Sequence, residues 1–223
     1  MKILVSWSSG KDSAWMLHVL RTTGIGTPAA LLTSINEQFD RVAMHGVRSA
    51  VLRAQAAAAG LPLVTVPLPY PCPNEVYEQR MRHVVTAAVA DGFTHVAFGD
   101  LFLEDVRRYR EERLTGTGLT PLFPLWGRPT RQLARDMIGG GIEATLTCVD
   151  PRTMPRGFAG RAYDARLIEE LPADVDPCGE RGEFHTCVTA GPMFAARIAV
   201  AVGETVERDG FLFTDLSACP AVA

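Results

Sequence analysis

Through residues 1–100 the chain alternates short apolar runs of β type with stretches whose apolar side chains recur at helical spacing. That alternation narrows the possible folds more than any other feature. Lys2 to Ser6, Ala29 to Ile35, Leu63 to Val66 and His95 to Phe98 read as strands. Between them, a helix from about Lys11 presents Trp15, Leu17 and Leu20 and stops near Gly24, and a second repeats Val47, Ala50, Val51, Ala54 and Ala58 before Gly60. A third starts with Asn74 as N-cap, turns Met81, Val84, Val85 and Ala88 toward the core, and stops near Gly92. Parallel neighbours need long crossover connections, usually helices, so the expected fold class is α/β: a parallel sheet flanked by helices.

Beyond residue 100 the pattern is less regular. A charged helix spans Glu104 to Glu112, the Gly-rich stretch Thr115 to Gly118 follows, and Leu122 to Trp126 reads as a strand end or crossover. Arg131 to Ile138 reads as a short helix stopped by Gly139 to Gly141, and Ile142 to Val149 as another strand. Further on, Pro151, Pro155, Pro172 and Pro177 break the periodicity into short pieces. This division suggests residues 1–115 as one unit and residues 116–223 as a smaller second lobe, the two able to behave as one compact body.

The first strand runs straight into Ser8-Ser9-Gly10-Lys11-Asp12-Ser13. Small residues at a strand-to-helix turn let backbone N–H groups approach an anion closely, and the helix adds its partial positive charge. Lys11 contributes a full charge, and the Ser8 and Ser13 hydroxyls can donate to phosphate oxygens. Asp12 would meet a phosphate only through a magnesium ion. The commoner phosphate loop is excluded, because Val5 stands where that motif has its first glycine and Asp12 where it has Ser or Thr. Asp100 ends a strand at the same carboxyl edge of the sheet, where ligands bind in open α/β folds.

A second dense segment runs from Asp176 to Thr186, with Glu180, Arg181, Glu183 and His185 among glycines 179 and 182 that permit tight turns. The alternatives are a convergent site or an exposed charged hairpin. The totals exclude other classes. Hydrophobic residues at 47% and charged residues at 21% are ordinary globular values. A net charge of −3 gives no general attraction to nucleic acid. Five scattered cysteines without a C-x-x-C pair suggest reduced thiols in a cytoplasm. No signal peptide fits the start, and no long uncharged apolar run suggests a membrane span.

The loop resembles the Ser-Gly-Gly-x-Asp-Ser loop of the ATP pyrophosphatase superfamily, with Ser9 where glycine is usual and, because of its β-carbon, an expected negative φ. Together with Met44-His45-Gly46, Phe98-Gly99-Asp100, Pro124-Leu125-Trp126 and residues 179–186, continuing into Gly191 to Phe194, it resembles the family that includes diphthine ammonia ligase. The resemblance covers Met1 to about Phe194 and implies a HUP-type, Rossmann-like ATP-binding domain followed by a family-specific α+β substrate lobe. It also implies an AMP- and pyrophosphate-forming carbon–nitrogen ligase that works through an adenylylated carboxylate, with ATP and Mg2+ as cofactors. The acid would be small or protein-borne, and its second partner ammonia or an amine. A homodimer is left open; a membrane is not expected.

On that reading Ser8, Ser9, Gly10, Lys11, Asp12 and Ser13 hold the triphosphate, Thr33 lies near the adenine, and Asp12 and Asp100 organise magnesium. Lys11 steadies the leaving pyrophosphate. Glu180, Glu183 and His185 bind the amine and take its proton, with His185 favoured because histidine titrates nearest neutrality; the alternative is that His185 only bonds a turn. His45, Glu104 and Arg107 are candidates for the acyl substrate, Arg107 through its planar fork. Two other functions use the same loop. An RNA thiolation enzyme would need a reactive Cys178 or Cys187, and an ATP sensor would bind without turnover. Zinc at Cys178, His185 and Cys187 would lack a fourth ligand.

Overall fold

The structure, a computed structural model, describes residues 1–219; the last four residues of the expected second lobe, 220–223, lie outside the described residues. Its first half holds the strands β1 (Lys2–Ser6), β2 (Thr27–Asn36), β3 (Arg41–Val42), β4 (Leu63–Leu68), β5 (His95–Ala97) and β6 (Thr120–Leu122). Helices α1 (Lys11–Thr23), α2 (Ser49–Ala59), α3 (Asn74–Ala90) and α4 (Glu104–Leu114) connect them. Leu31 and Leu32 pair with β1 on one side and β4 on the other, while Ile35 and Asn36 pair with β3 and β4. The parallel order is therefore β4-β2-β1-β5-β6, and the short antiparallel β3 takes over the edge of β2 where β1 stops. Strand order reverses between β1 and β5, and this Rossmann-like reversal opens a crevice at their carboxyl ends.

Both faces of this sheet are covered, which explains why β1 reads as an unbroken apolar run. Ile3 and Val5 pack with Trp15, Leu17 and Leu20 of α1 and Val51 and Leu52 of α2. Leu4 faces the other way, toward Leu32, Val66, Ala88 and Val96. Helix α1 ends at Gly24 and α2 at Gly60, both left-handed, as the sequence predicts. Val47 lies outside α2, since its carbonyl accepts from the Val42 N–H and it stays extended. Helix α3 is less embedded than its periodicity predicts: of its 17 residues only Ala88 is fully buried. The strand near residue 122 is β6, ending where the expected Leu122-to-Trp126 piece begins.

Helix α5 (Thr130–Gly139) leads into a second, antiparallel sheet of β7 (Glu143–Val149), β8 (Phe184–Ala190), β9 (Val200–Arg208) and β10 (Phe211–Ala218), with a short α6 (Ala165–Glu170). Its order is β8-β7-β10-β9. His185 and Thr186 thus stand on a strand, whereas residues 176–183 form the loop before it. One apolar core runs from α1 and α2 through α5 to β7, β8 and β10, so the two sheets share buried contacts. Asp215 of β10 accepts from Arg41 at 2.8 Å and Arg48 at 2.6 Å, and these bonds hold its carboxyl down at about 2. Among the described residues no helix is long and apolar enough to cross a membrane.

Candidate active site

The loop between β1 and α1 is braced from within. The Ser13 hydroxyl donates to the Gly10 carbonyl at 2.9 Å and accepts from the Ser8 N–H at 3.3 Å, while Gly10 N–H donates to Ser8 Oγ at 3.3 Å. Ser9 departs from the expectation of negative φ: it sits at +70°, in the left-handed region that favours glycine. It is held there from outside, because its carbonyl accepts from Val188 N–H at 2.9 Å and from Gln55 Nε2 at 3.1 Å. Gln55 also donates to the Val188 carbonyl at 2.8 Å and accepts from Trp7 Nε1 at 3.0 Å, so one buried amide ties β1, the loop and β8 together. The anchorage of the loop in the second sheet thus overrides the preference of a β-carbon.

Lys11 does not extend along the loop. Its ammonium is buried, 5.4 Å from both the Tyr163 and Phe184 ring centres, and donates to Asp12 at 2.8 Å and to the Cys178 carbonyl. Burial pulls its pKa down, but Asp12 and the surrounding negative groups outweigh that, so Lys11 titrates above its ordinary value and stays charged. Burial raises the Asp12 carboxyl against the pull of Lys11. Asp12 Oδ1 is enclosed and has no partner among the described residues, which fits an oxygen ligand for a hard cation. Asp100 fits less well, since Arg110 forks onto both its oxygens at 2.6 and 3.0 Å. Among the described residues no three His, Cys, Asp or Glu side chains cluster around one point. Magnesium at Asp12 would take its remaining ligands from phosphates and water.

Gly99 lets the end of β5 back onto the first turn of α1, where a Cβ would lie 3.2 Å from the Asp12 carbonyl carbon and the Ser13 nitrogen. Glu180 then reaches this crossing, its Oε1 accepting from Leu101 N–H at 2.7 Å. Burial lifts its pKa to about 7, with Asp12 and Asp100 pushing the same way. Glu183 is used differently. It is buried and accepts from Asp176 N–H at 3.0 Å and Arg181 N–H at 2.9 Å, shaping the loop. Asp176 in turn accepts from Cys178 N–H at 3.2 Å and Glu180 N–H at 3.0 Å. The dense segment is a self-bonded loop that aims Glu180 at the edge of the first sheet.

His185 and His45 stack with ring centres 4.5 Å apart. His45 Nδ1–H donates to the Thr186 carbonyl at 3.2 Å, and a Cβ on Gly10 would lie 2.8 Å from His45 Cε1. Burial, reinforced for His45 by His185, holds both well below the usual histidine range, His185 at about 4. Both are neutral at pH 7, and the near-neutral titration that favoured His185 as base is instead found at Glu180. Thr33 donates to the Trp7 carbonyl at 2.7 Å and lines a cavity of about 230 Å3 between Ser6 to Ser8, Leu32 and Val66. Arg107 bonds Glu111 at 2.8 Å and lies on the Phe123 and Trp126 rings, and Glu104 is exposed at the start of α4; neither is brought to Lys11 or Glu180. Sequence reasoning missed Gln55 and Arg110. Gln55 had a signal, a polar residue on the apolar face Val51, Leu52, Ala56 and Ala59 of α2.

Fold and site together define a Rossmann-like α/β protein in which the Ser/Gly-rich turn between β1 and α1 is locked against an antiparallel sheet. Residues 129–215 match the model described as the diphthamide synthase C-terminal domain. The chain is 27% identical over 234 residues to the diphthine–ammonia ligase of Danio rerio, covering 92% of this chain and 89% of that protein. It is 24% identical over 228 residues to that of Schizosaccharomyces pombe, covering 93% of this chain but 37% of that longer protein. Over 121 residues it is 31% identical to the human diphthine–ammonia ligase, 52% of this chain and 45% of that one. Across most of its length the chain is thus similar to diphthine–ammonia ligases, and its later part carries the match to the diphthamide synthase C-terminal domain.

Proposed function

We propose that this protein is an ATP-dependent amide ligase that forms AMP and pyrophosphate through an adenylylated carboxylate, with ammonia as the amine and, as its relatives' name indicates, a diphthine-type acid. The observation that carries the reading is the locking of the Ser8–Ser13 loop to β8 and the 176–183 loop. Lys11 N–H donates to Thr186 Oγ1 at 3.1 Å, and Lys11 Nζ reaches the Cys178 carbonyl, so the cradle and Glu180 form one mouth. Residues 1–115, which carry the Ser8–Ser13 loop and Thr33, would handle the nucleotide.

In the first step an acid oxygen bonds to the α-phosphorus as the bond to the β-phosphate breaks. The Ser8, Gly10 and Lys11 N–H groups are taken by Ser13, Ser8 and Thr186, so the Asp12 and Ser13 N–H groups at the α1 N-terminus would receive the pyrophosphate charge, and Lys11 holds Asp12 in place. Magnesium at Asp12 would neutralise part of that charge. Thr33 and the adjoining cavity would take the adenine. Next, the amine nitrogen bonds to the acyl carbon, its proton passes to Glu180, and AMP leaves. A carboxylate titrating near 7 is well matched to that transfer. His185, neutral and weakly basic, would accept a hydrogen bond from the amine. Cys178 and Cys187 are buried with thiols pushed up to about 12, which counts against sulfur transfer.

The test is incubation with ATP, Mg2+, ammonia and a cell extract, with nucleotides resolved by chromatography. AMP and pyrophosphate, together with a protein or metabolite lighter by about one dalton, the change of acid to amide, are expected. ADP and phosphate, or binding without turnover, would refute the reading.

A further inference from the structure

Beside the mouth, between α3 and α4, lies a cleft of about 510 Å3, a volume typical of small-molecule sites. It is continuous with the cavity beside Thr33, since Tyr77, Met81, Val85, Phe98, Arg110 and Leu114 line both. Along this cleft α3 meets the sheet through the buried Ala88 and through Tyr77, Met81, Val84 and Val85, which are only partly buried. Its walls are apolar and aromatic, and its charged groups are paired: Arg82 and Arg113 with Glu78, and Arg110 with Asp100.

Arg110 stands where the two cavities meet. Its Nε and Nη2 fork onto Asp100, and its guanidinium lies 4.3 Å from the Phe98 ring centre. That fixes the plane of the group and leaves Nη1 without a hydrogen bond among the described residues. An arginine so oriented presents a charge-assisted donor to a planar anion.

Resting on the function proposed above, we propose that this cleft binds the acyl substrate: a carboxylic acid with an apolar or aromatic body, its body between α3 and α4 and its carboxylate at Arg110, facing the nucleotide. The six shared residues give the acid a path to the α-phosphorus without crossing the core. The same arrangement makes Arg110 a specificity-determining residue, because a neutral amide gains nothing from its charge.

The probe is 3-phenylpropionate, added to full-length protein carrying 13C-methyl methionine and a non-hydrolysable ATP analogue. The Met81 methyl should shift saturably, while the buried Met16, Met137, Met154 and Met193 methyls stay fixed and report an intact fold. The neutral 3-phenylpropanamide should bind at least tenfold more weakly, and Arg110→Gln should weaken the acid by about tenfold or more, the usual effect of losing a charged hydrogen bond. Thr86→Trp, which narrows the outer wall without touching Arg110, should weaken it similarly. A Met81 methyl that does not move, equal binding of acid and amide, or exclusion of the acid by the nucleotide analogue would overturn the proposal. Nucleotide products are followed on the same samples: AMP release without acid binding in the cleft sinks this inference alone, whereas ADP release sinks the reading beneath it.

Discussion

Replacing Glu180 by glutamine should remove a loss of stability that sets in as pH rises. The amide keeps an oxygen for the Leu101 N–H and nearly the same volume, so the chief change is loss of a titrating group. Burial raises this carboxyl from 4.5 to about 7. An acid with a raised folded pKa binds its proton more tightly when folded, so stability declines as pH rises through that interval and the deficit is complete above about 7. At roughly 1.4 kcal/mol per unit, the interval corresponds to about 3 kcal/mol, a large share of a domain's net stability. Urea unfolding of both proteins at pH 4.5 and pH 8 tests this. The variant should match the parent at pH 4.5 and exceed it by about 3 kcal/mol at pH 8, or about 6–12 °C in Tm for a chain of this size. An equal difference at both pH values would refute the buried, proton-retaining Glu180, and with it the base assigned to the amine step. The activity counterpart is a rate that rises through pH 7 in the parent and loses that limb in the variant.

Ser9→Gly relieves a left-handed backbone and removes a buried hydroxyl without a partner, so it should raise stability by about 1 kcal/mol by thermal melting. Gln55→Leu strands Trp7 Nε1 and the Val188 carbonyl and should lower stability by about 2–4 kcal/mol, with a double-mutant cycle against Trp7→Phe giving a coupling near 1 kcal/mol; simple additivity would contradict the tie. Gly10→Ala drives a methyl into His45, so ATP turnover should fall at least tenfold while the far-ultraviolet spectrum is unchanged.

The first sheet was legible because β1 and the middle of β2 are buried on both faces and α1 and α2 end at left-handed glycines. Each element therefore declares itself within a few residues. Of the second sheet only β7 was legible, the expected Ile142-to-Val149 strand matching Glu143–Val149. In β8 a buried run from Thr186 to Thr189 shows no alternation, and the preceding charged residues are absorbed by bonds within the loop. The β9–β10 hairpin did carry a signal: Asp209-Gly210, both at positive φ, followed by a strand of alternating burial from Phe211 to Leu216. Within the site, the motifs located Lys11, Asp12, Asp100, Glu180 and His185 in one region. Their individual postures depend on tertiary partners: Lys11 turns to Cys178, Asp100 is taken by Arg110, and His185 loses its ordinary titration through burial, with Lys11 adding to the effect. No local spacing encodes those contacts.

The most direct measurement is a crystal structure with magnesium and a non-hydrolysable ATP analogue. The β- and γ-phosphates are expected against the Ser8–Ser13 loop on the Asp12 and Ser13 N–H groups at the start of α1, the α-phosphorus exposed toward Glu180, and the adenine beside Thr33. A nucleotide bound elsewhere, or one whose γ-phosphorus rather than α-phosphorus faces Glu180, would contradict it.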